Sequence, residues 1–173
     1  NSQTGLTANL NMSGTKNWGD GTSNTLTSHT YASAGTYTIT CSGSVNSTST
    51  SSGIFKQSSS SPNYYCKEAR LVTNLLNKNY AFANCYNLQT IMLSNSVTTI
   101  SSNCFNNCRG LKAVVLSKNT TTMNDYVFNG CWSIQKIVIP VGVTSLPTYD
   151  FYQNFSLKTI VIPAGISSLG SDC

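Results

Sequence analysis

The sequence has little charge and few of the side chains that perform acid–base chemistry. Charged residues make up 9% of its 173 positions, and His29 is the single histidine. Enzymes that hydrolyse or transfer groups usually bring several titratable side chains together. The five carboxylates are instead spread along the chain, at Asp20, Glu68, Asp125, Asp150 and Asp172. We therefore expect no catalytic residues and no enzymatic activity.

Long apolar runs and basic clusters are also missing. No stretch approaches the roughly 18 apolar residues that span a bilayer, and no charged-then-apolar leader opens the chain. Because the first residue is Asn rather than Met, we expect a processed or truncated chain. The basic residues are scattered, although the formal net charge is +5, whereas nucleic-acid-binding domains cluster them. We expect neither membrane insertion nor a nucleic-acid partner.

The seven cysteines form no familiar pairing pattern. Their number is odd, no CxxC motif occurs, and no histidine lies near Cys104 and Cys108, the closest pair, to complete a zinc site. We therefore expect no disulfide framework, no metal site and no cofactor. Ser, Thr and Asn, by contrast, account for about two-fifths of the chain. This polar but uncharged bias departs from the average of globular domains and favours an extracellular, β-rich protein.

Residues 81–173 contain a repeat of constant period, marked by Phe82, Phe105, Phe128 and Phe151, whose positions differ by 23 each time. Four apolar columns stand in phase with these phenylalanines: Leu88, Leu111, Ile134 and Leu157; Ile91, Val114, Ile137 and Ile160; Leu93, Leu116, Ile139 and Ile162; Ile100, Met123, Leu146 and Leu169. A fixed period of this length indicates a solenoid. The pattern L-x-x-I-x-L predicts a short strand in each unit, and stacking the units builds a parallel sheet with these columns turned inward.

The unit resembles the BspA-like leucine-rich repeat, L-x-x-I-x-I-P-x-x-V-x-x-I-x-x-x-x-F-x-x-C. Residues 134–151 follow that pattern almost completely, with Pro140 in the proline position. The repeat departs from it at Ser94, Ser117, Thr120 and Asn154. The resemblance implies a solenoid that is mainly β with short helical turns. It also implies a protein of the cell surface that attaches to host matrix or to other cells.

Cys85, Cys108 and Cys131 occupy one column of this repeat. A free cysteine behaves as a small apolar side chain, so we expect stacked, buried thiols at a turn. A catalytic cysteine needs a histidine partner, and His29 lies in another segment. Asp125 and Asp150 fall in adjacent units of the repeat and can approach each other, but a short solenoid offers no deep cleft for a carboxylate pair.

Residues 1–43 have a different pattern. Apolar and polar residues alternate over 6–12 and again over 37–41, which predicts two half-buried strands. The residues between and beside them resemble the motif of PKD-type β-sandwich domains: Trp18, Gly19, Asp20, Gly21, His29, Tyr31, Gly35 and Tyr37. PKD domains are usually longer, so this segment is shortened or truncated. Asp20 and His29 are open to interpretation as metal ligands or as an acid–base pair. The resemblance instead implies a turn-closing aspartate and a packed histidine.

Four segments follow from these patterns. A PKD-like β segment covers residues 1–43, a Ser-rich linker covers 44–63, a cap segment covers 64–80, and the repeats cover 81–173. The cap is irregular because terminal repeats are atypical. The last repeat has no obvious polar cap, so either further repeats follow it or this open end pairs with another copy. For the chain as given, we expect self-association through the open end.

The outward positions of the predicted strands are the best candidates for a binding site. They comprise an apolar row, Met92, Val115, Val138 and Val161, and three lysines, Lys112, Lys136 and Lys158. Repeat proteins commonly bind through such extended faces. The alternative is that β-branched residues simply favour strands and that lysines keep the sheet soluble.

The function that these patterns favour is a cell-surface or secreted adhesion module. We expect it to recognise a host matrix protein, another cell or a glycan, in particular an anionic glycan, through the repeat face. The alternative function is a structural or spacer module of a larger surface or phage-tail-like assembly.

Overall fold

A computed structural model describes residues 7–9, 13–26, 28–30, 32, 40–41, 68–71, 76 and 78–173. The predicted linker at 44–63 lies outside the described residues. So do Tyr31, Gly35 and Tyr37 of the PKD-like motif and most of the predicted cap.

The described N-terminal residues form five short antiparallel strands. These are β1 (Thr7–Asn9), β2 (Lys16–Asn17), β3 (Ser23–Asn24), β4 (Ser28–Thr30) and β5 (Thr40–Cys41). Strand β1 pairs with β4, while β2 lies between β3 and β5. Strands β1 and β5 fall within the two predicted strands. The assignment of this segment to the PKD type stays a prediction.

The repeats form a solenoid in which each coil contributes to two parallel ladders. The first ladder consists of two successive sheets, one of β6 (Glu68–Leu71), β7 (Thr90–Leu93) and β9 (Ala113–Val115), the other of β11 (Lys136–Val138) and β13 (Thr159–Val161). The second ladder likewise consists of β8 (Thr99–Ile100) paired with β10 (Thr122–Met123), followed by β12 (Ser145–Leu146) paired with β14 (Ser168–Leu169). The pairs β6–β7, β7–β9 and β11–β13 are parallel and keep the repeat in register, with Ile91 opposite Val114 and Ile137 opposite Ile160. The predicted parallel sheet is therefore confirmed.

The core is a stack of identical positions from successive coils. The phenylalanine rings stack along the solenoid with centroid separations of 5.7, 5.4 and 6.2 Å between successive members of the column. Each buried apolar side chain contributes about 1.5–3 kcal/mol to folding. The predicted inward columns are buried or half-buried except in the last coil, where Ile162 and Leu169 are exposed. Thr120 is also buried, because its hydroxyl donates to the carbonyl oxygen of Val97 at 3.1 Å.

The predicted short helical turns take the form of tight turns between the second strand and the next first strand. Amides in these turns bond three residues back, as in Cys85 N–H to Phe82 O, and also to the next coil, as in Phe82 N–H to Cys104 O at 2.7 Å. Two positions per turn have positive φ. The first is tyrosine in three turns and asparagine in another, and the second is asparagine in two: Tyr80, Tyr126, Tyr149 and Asn103; Asn84 and Asn107. Asparagine tolerates the left-handed region better than most residues.

Candidate functional site

The strand face is the outward surface of the first ladder. Met92, Val115, Val138 and Val161 are all exposed there, although they are apolar. Met92 lies directly opposite Val115, and Val138 lies opposite Val161. The predicted apolar row therefore exists as a surface feature of the sheet. Its side chains point outward because the strand period of two places Ile91 and Ile137 inward.

The lysines of the strand face give it a positive charge. Lys112 and Lys158 each stand immediately before a strand, Lys136 begins β11, and all three are exposed. The strand segments 89–93, 112–116, 135–139 and 158–162 contain no carboxylate. An apolar row beside cations can bind a macromolecule. Binding by these residues stays a prediction.

Sequence reasoning missed the first strand of this ladder. Strand β6 places Glu68 opposite Thr90 and Arg70 opposite Met92, within the segment expected to be an irregular cap. Ala69 and Leu71 are apolar at alternate positions, as Ile91 and Leu93 are. This alternation is the sequence feature that could have predicted the strand. The spacing from Leu71 to Leu93 falls one position short of the repeat period, so the strand is out of phase with the columns.

The cysteine column is buried, as predicted. Cys108 donates its thiol to the carbonyl oxygen of Phe82 at 3.0 Å, and Cys131 donates to Phe105 at 3.1 Å. Burial raises the pKa of the Cys104 thiol to about 12 and raises the pKa of Cys131 as well. Thiols of this kind are poor nucleophiles, so their role is packing.

Asp20 and His29 form a local structural unit. The Asp20 carboxylate accepts from the backbone N–H of Thr22 at 3.0 Å and from its hydroxyl at 2.7 Å, which closes the turn. His29 Nε2 lies 2.6 Å from the other oxygen, and its ring stacks on Trp18 with centroids 5.2 Å apart. The hydrogen bond from the Thr22 side chain, with help from His29, lowers the pKa of Asp20 to about 2. These contacts agree with the structural interpretation of both residues.

Asp125 and Asp150 each bind a backbone amide of a neighbouring coil. Asp125 accepts from Thr148 N–H at 2.9 Å, and Asp150 accepts from Val127 N–H at 2.7 Å. Asp150 is fully buried, and its second oxygen has no hydrogen-bond partner. Burial raises the pKa of Asp150 to about 8. Because both carboxylates are engaged with the backbone, they do not flank a substrate cleft.

The residues that the structure describes contain no group of three or more His, Cys, Asp or Glu side chains placed to hold a metal ion. They also include no helix that is long and apolar enough to cross a membrane.

The fold defines the class of protein: a parallel β solenoid with a leucine-rich repeat. The family model for the BspA type leucine-rich repeat region matches residues 77–173 with six copies. The chain therefore belongs to the BspA-type leucine-rich repeat family, and the resemblance inferred from the repeat is confirmed. Proteins of this family are typically bacterial surface or secreted proteins. Leucine-rich repeats generally mediate protein binding and are generally non-enzymatic.

Three solved structures share the fold. A leucine-rich repeat protein from Bacteroides ovatus has 21% identity and a TM-score of 0.57, covering 63% of this chain and 29% of its own. The T. pallidum leucine rich repeat protein has 23% identity and a TM-score of 0.58, and the match covers 62% of this chain and 53% of that protein. A leucine-rich repeat protein from Eubacterium ventriosum has 20% identity and a TM-score of 0.58, and the match covers 95% of this chain and 40% of that protein. This chain therefore spans about half or less of each neighbour's length. No curated protein matches the chain.

Proposed function

We propose that this chain is a cell-surface or secreted adhesion module that binds a host matrix protein, a neighbouring cell or a glycan through its strand face. The observation that carries the proposal is the exposed row of Met92, Val115, Val138 and Val161. Solvent-exposed apolar side chains that line up over successive coils favour interaction. Membership of a family whose proteins are typically found at the bacterial surface supports the location.

The charge of the strand face favours an anionic partner. Lys112, Lys136 and Lys158 flank the apolar row, and strands β7, β9, β11 and β13 supply no carboxylate. Complementary charge raises the association rate and guides the orientation of the partner. A matrix protein with acidic patches and an anionic glycan both fit this description.

A binding screen against matrix proteins and anionic glycans tests the proposal. The parent chain is compared with a triple variant, Lys112→Ala, Lys136→Ala and Lys158→Ala, and with a double variant, Val115→Ser and Val138→Ser. We expect both variants to lose binding by about tenfold or more, since two or three contacts worth about 1 kcal/mol each are removed. Circular dichroism and thermal melting verify that both variants fold.

A matched control separates the strand face from the overall charge. Lys78 and Lys118 are exposed lysines outside the strands, so the variant Lys78→Ala, Lys118→Ala lowers the net charge without touching the face. It should bind as the parent does. Equal losses in control and triple variant would assign the binding to net charge. Absence of any ligand for the parent would favour the structural or spacer function instead.

A further inference from the structure

The turns of the solenoid carry a stack of aromatic rings around one guanidinium, which we call the aromatic ladder. It consists of one residue per coil at the repeat period: Tyr86, Arg109, Trp132 and Phe155. The Arg109 Cζ atom lies 4.7 Å from the centroid of the Tyr86 ring and 4.2 Å from that of Trp132. The Trp132 and Phe155 centroids are 5.9 Å apart. Arg109 is thus held between two rings.

Aromatic residues are distributed unevenly over the solenoid. Apart from the phenylalanine column, every aromatic residue of 81–173 lies in a turn: Tyr86, Tyr126, Trp132, Tyr149, Tyr152 and Phe155. The strands of both ladders over this range contain none. Tyr, Trp, Phe and Arg are the residues enriched in protein interfaces, and Trp, Tyr and Arg dominate their binding energy. The turn side therefore also has the composition of an interface hot spot.

The guanidinium of Arg109 lacks an acidic partner within the described part of the chain. No carboxylate lies within ion-pair distance of it there. Its Nε atom is buried without a hydrogen-bond partner, so a partner's carboxylate would pair with the terminal Nη atoms. The residue is only half-buried. A planar guanidinium fork matches a carboxylate in geometry as well as charge. Because the two rings already restrain the fork, less side-chain entropy is lost when a carboxylate binds.

The rings of the ladder add apolar area beside this cation, and the Trp132 and Phe155 rings are tilted against each other by 55°. Trp132 is 38% exposed although a coil lies on either side of it. The surface therefore combines apolar area with positive potential.

We propose that the aromatic ladder is a docking surface for an acidic segment of a partner protein, with a carboxylate paired to Arg109 and an apolar side chain against Trp132. This surface is distinct from the apolar row of the strand face. The proposal therefore does not rest on the adhesion function.

Tryptophan fluorescence gives a direct test. The chain has two tryptophans; Trp18 is fully buried and supplies a constant background, whereas Trp132 belongs to the ladder. The probes are a soluble peptide of Glu-Glu-Leu repeats, a matched Gln-Gln-Leu peptide and polygalacturonate. We expect the acidic peptide to protect Trp132 from acrylamide and to bind about tenfold more tightly than the neutral peptide. Equal affinity for the two peptides, or no binding of the acidic one, overturns the proposal. Preference for polygalacturonate overturns it in favour of a glycan.

Variants locate the binding. Arg109→Lys keeps the charge but loses the planar fork, and we expect it to weaken peptide binding by about tenfold. The Val115→Ser, Val138→Ser variant alters the strand face alone and should bind the peptide as the parent does. Unchanged binding by Arg109→Lys, or loss in the valine variant, contradicts the assignment. If Arg109→Lys does not fold, the peptide comparison on the parent decides the question.

Discussion

Cys108 and Phe82 are joined across adjacent coils by a hydrogen bond from the thiol to the backbone carbonyl oxygen, 3.0 Å long. The same contact recurs one coil later between Cys131 and Phe105 at 3.1 Å. Cys108 and Cys131 therefore each bind the turn of the coil before their own. A small side chain with a weak donor is suited to this position, since it is buried and meets a carbonyl group.

Alkylation followed by mass mapping should separate the described thiols into two groups. Cys173 is exposed, whereas Cys85, Cys104, Cys108 and Cys131 are buried. Burial raises the pKa of Cys104 to about 12, so no reactive thiolate forms there at pH 8. We expect native protein to be modified at Cys173 and the other four to react only in denaturant. Rapid native modification of Cys108 would contradict the packing role.

The stability of the protein should fall with rising pH because of Asp150. Its pKa is about 8 in the folded chain, against an ordinary value of 3.8. Between these values the folded state binds a proton that the unfolded state lacks, so the contribution of Asp150 is fully present below about pH 4 and is lost as the pH rises to about 8. Asp150→Asn removes this titration, so the free energy of unfolding of the variant, taken relative to the parent, should rise between about pH 4 and about pH 8.

Urea denaturation between pH 4 and pH 9 measures this effect as the difference in the free energy of unfolding between Asp150→Asn and the parent. Asp172→Asn, which changes an exposed carboxylate, is the control and should show no comparable trend. A difference between Asp150→Asn and the parent that stays constant over the whole range would disprove the expected titration.

Gly110 should not tolerate a side chain. A Cβ atom there would lie 2.5 Å from the carbonyl oxygen of Tyr86, which Gly110 N–H already contacts at 2.9 Å. Gly110→Ala must separate two coils, and we expect a loss of about 1–3 kcal/mol in thermal or chemical unfolding. Gly165→Ala is the matched control, because its Cβ would meet Val141 O at 3.9 Å. It should change stability by less than about 0.5 kcal/mol. Equal effects of the two substitutions would exclude a steric cause.

The last coil should promote self-association. Its apolar side chains Phe155 and Leu169 are 75% and 65% exposed, and Ile162, Ile166 and Leu169 line a shallow hollow. We expect sedimentation to show an average mass that rises with concentration. Leu169→Lys should suppress this rise, because a charge cannot be buried there without a partner. Val141→Lys changes an exposed apolar residue outside the hollow and should have no effect. A monomer at all concentrations would refute the expectation.

Much of the solenoid was predictable because each coil repeats one environment. The columns of Phe82 and Ile91 are apolar in coil after coil, and their fixed period predicts where the strands lie and which positions are buried. The second ladder was not predicted, since strands of two residues such as Thr99–Ile100 carry no alternation. The aromatic ladder was missed for another reason. Tyr86 and Trp132 are aromatic, but Arg109 stands between them in the same column, so the column shows no repeated side-chain type.

The sequence by itself determined the repeat, its period, its inward columns and the membership in a surface-protein family. These follow from periodicity, because one apolar position per coil can be buried only by stacking. The tertiary structure alone decided which polar groups lie inside and what they contact. Asp150 occupies the same column of the repeat as Cys104 and Val127. Only the packing of neighbouring coils buries its carboxyl group and leaves one of its oxygens without a hydrogen-bond partner. Likewise, the rings that hold Arg109 come from the coils on either side of it, a contact that depends on how the coils stack.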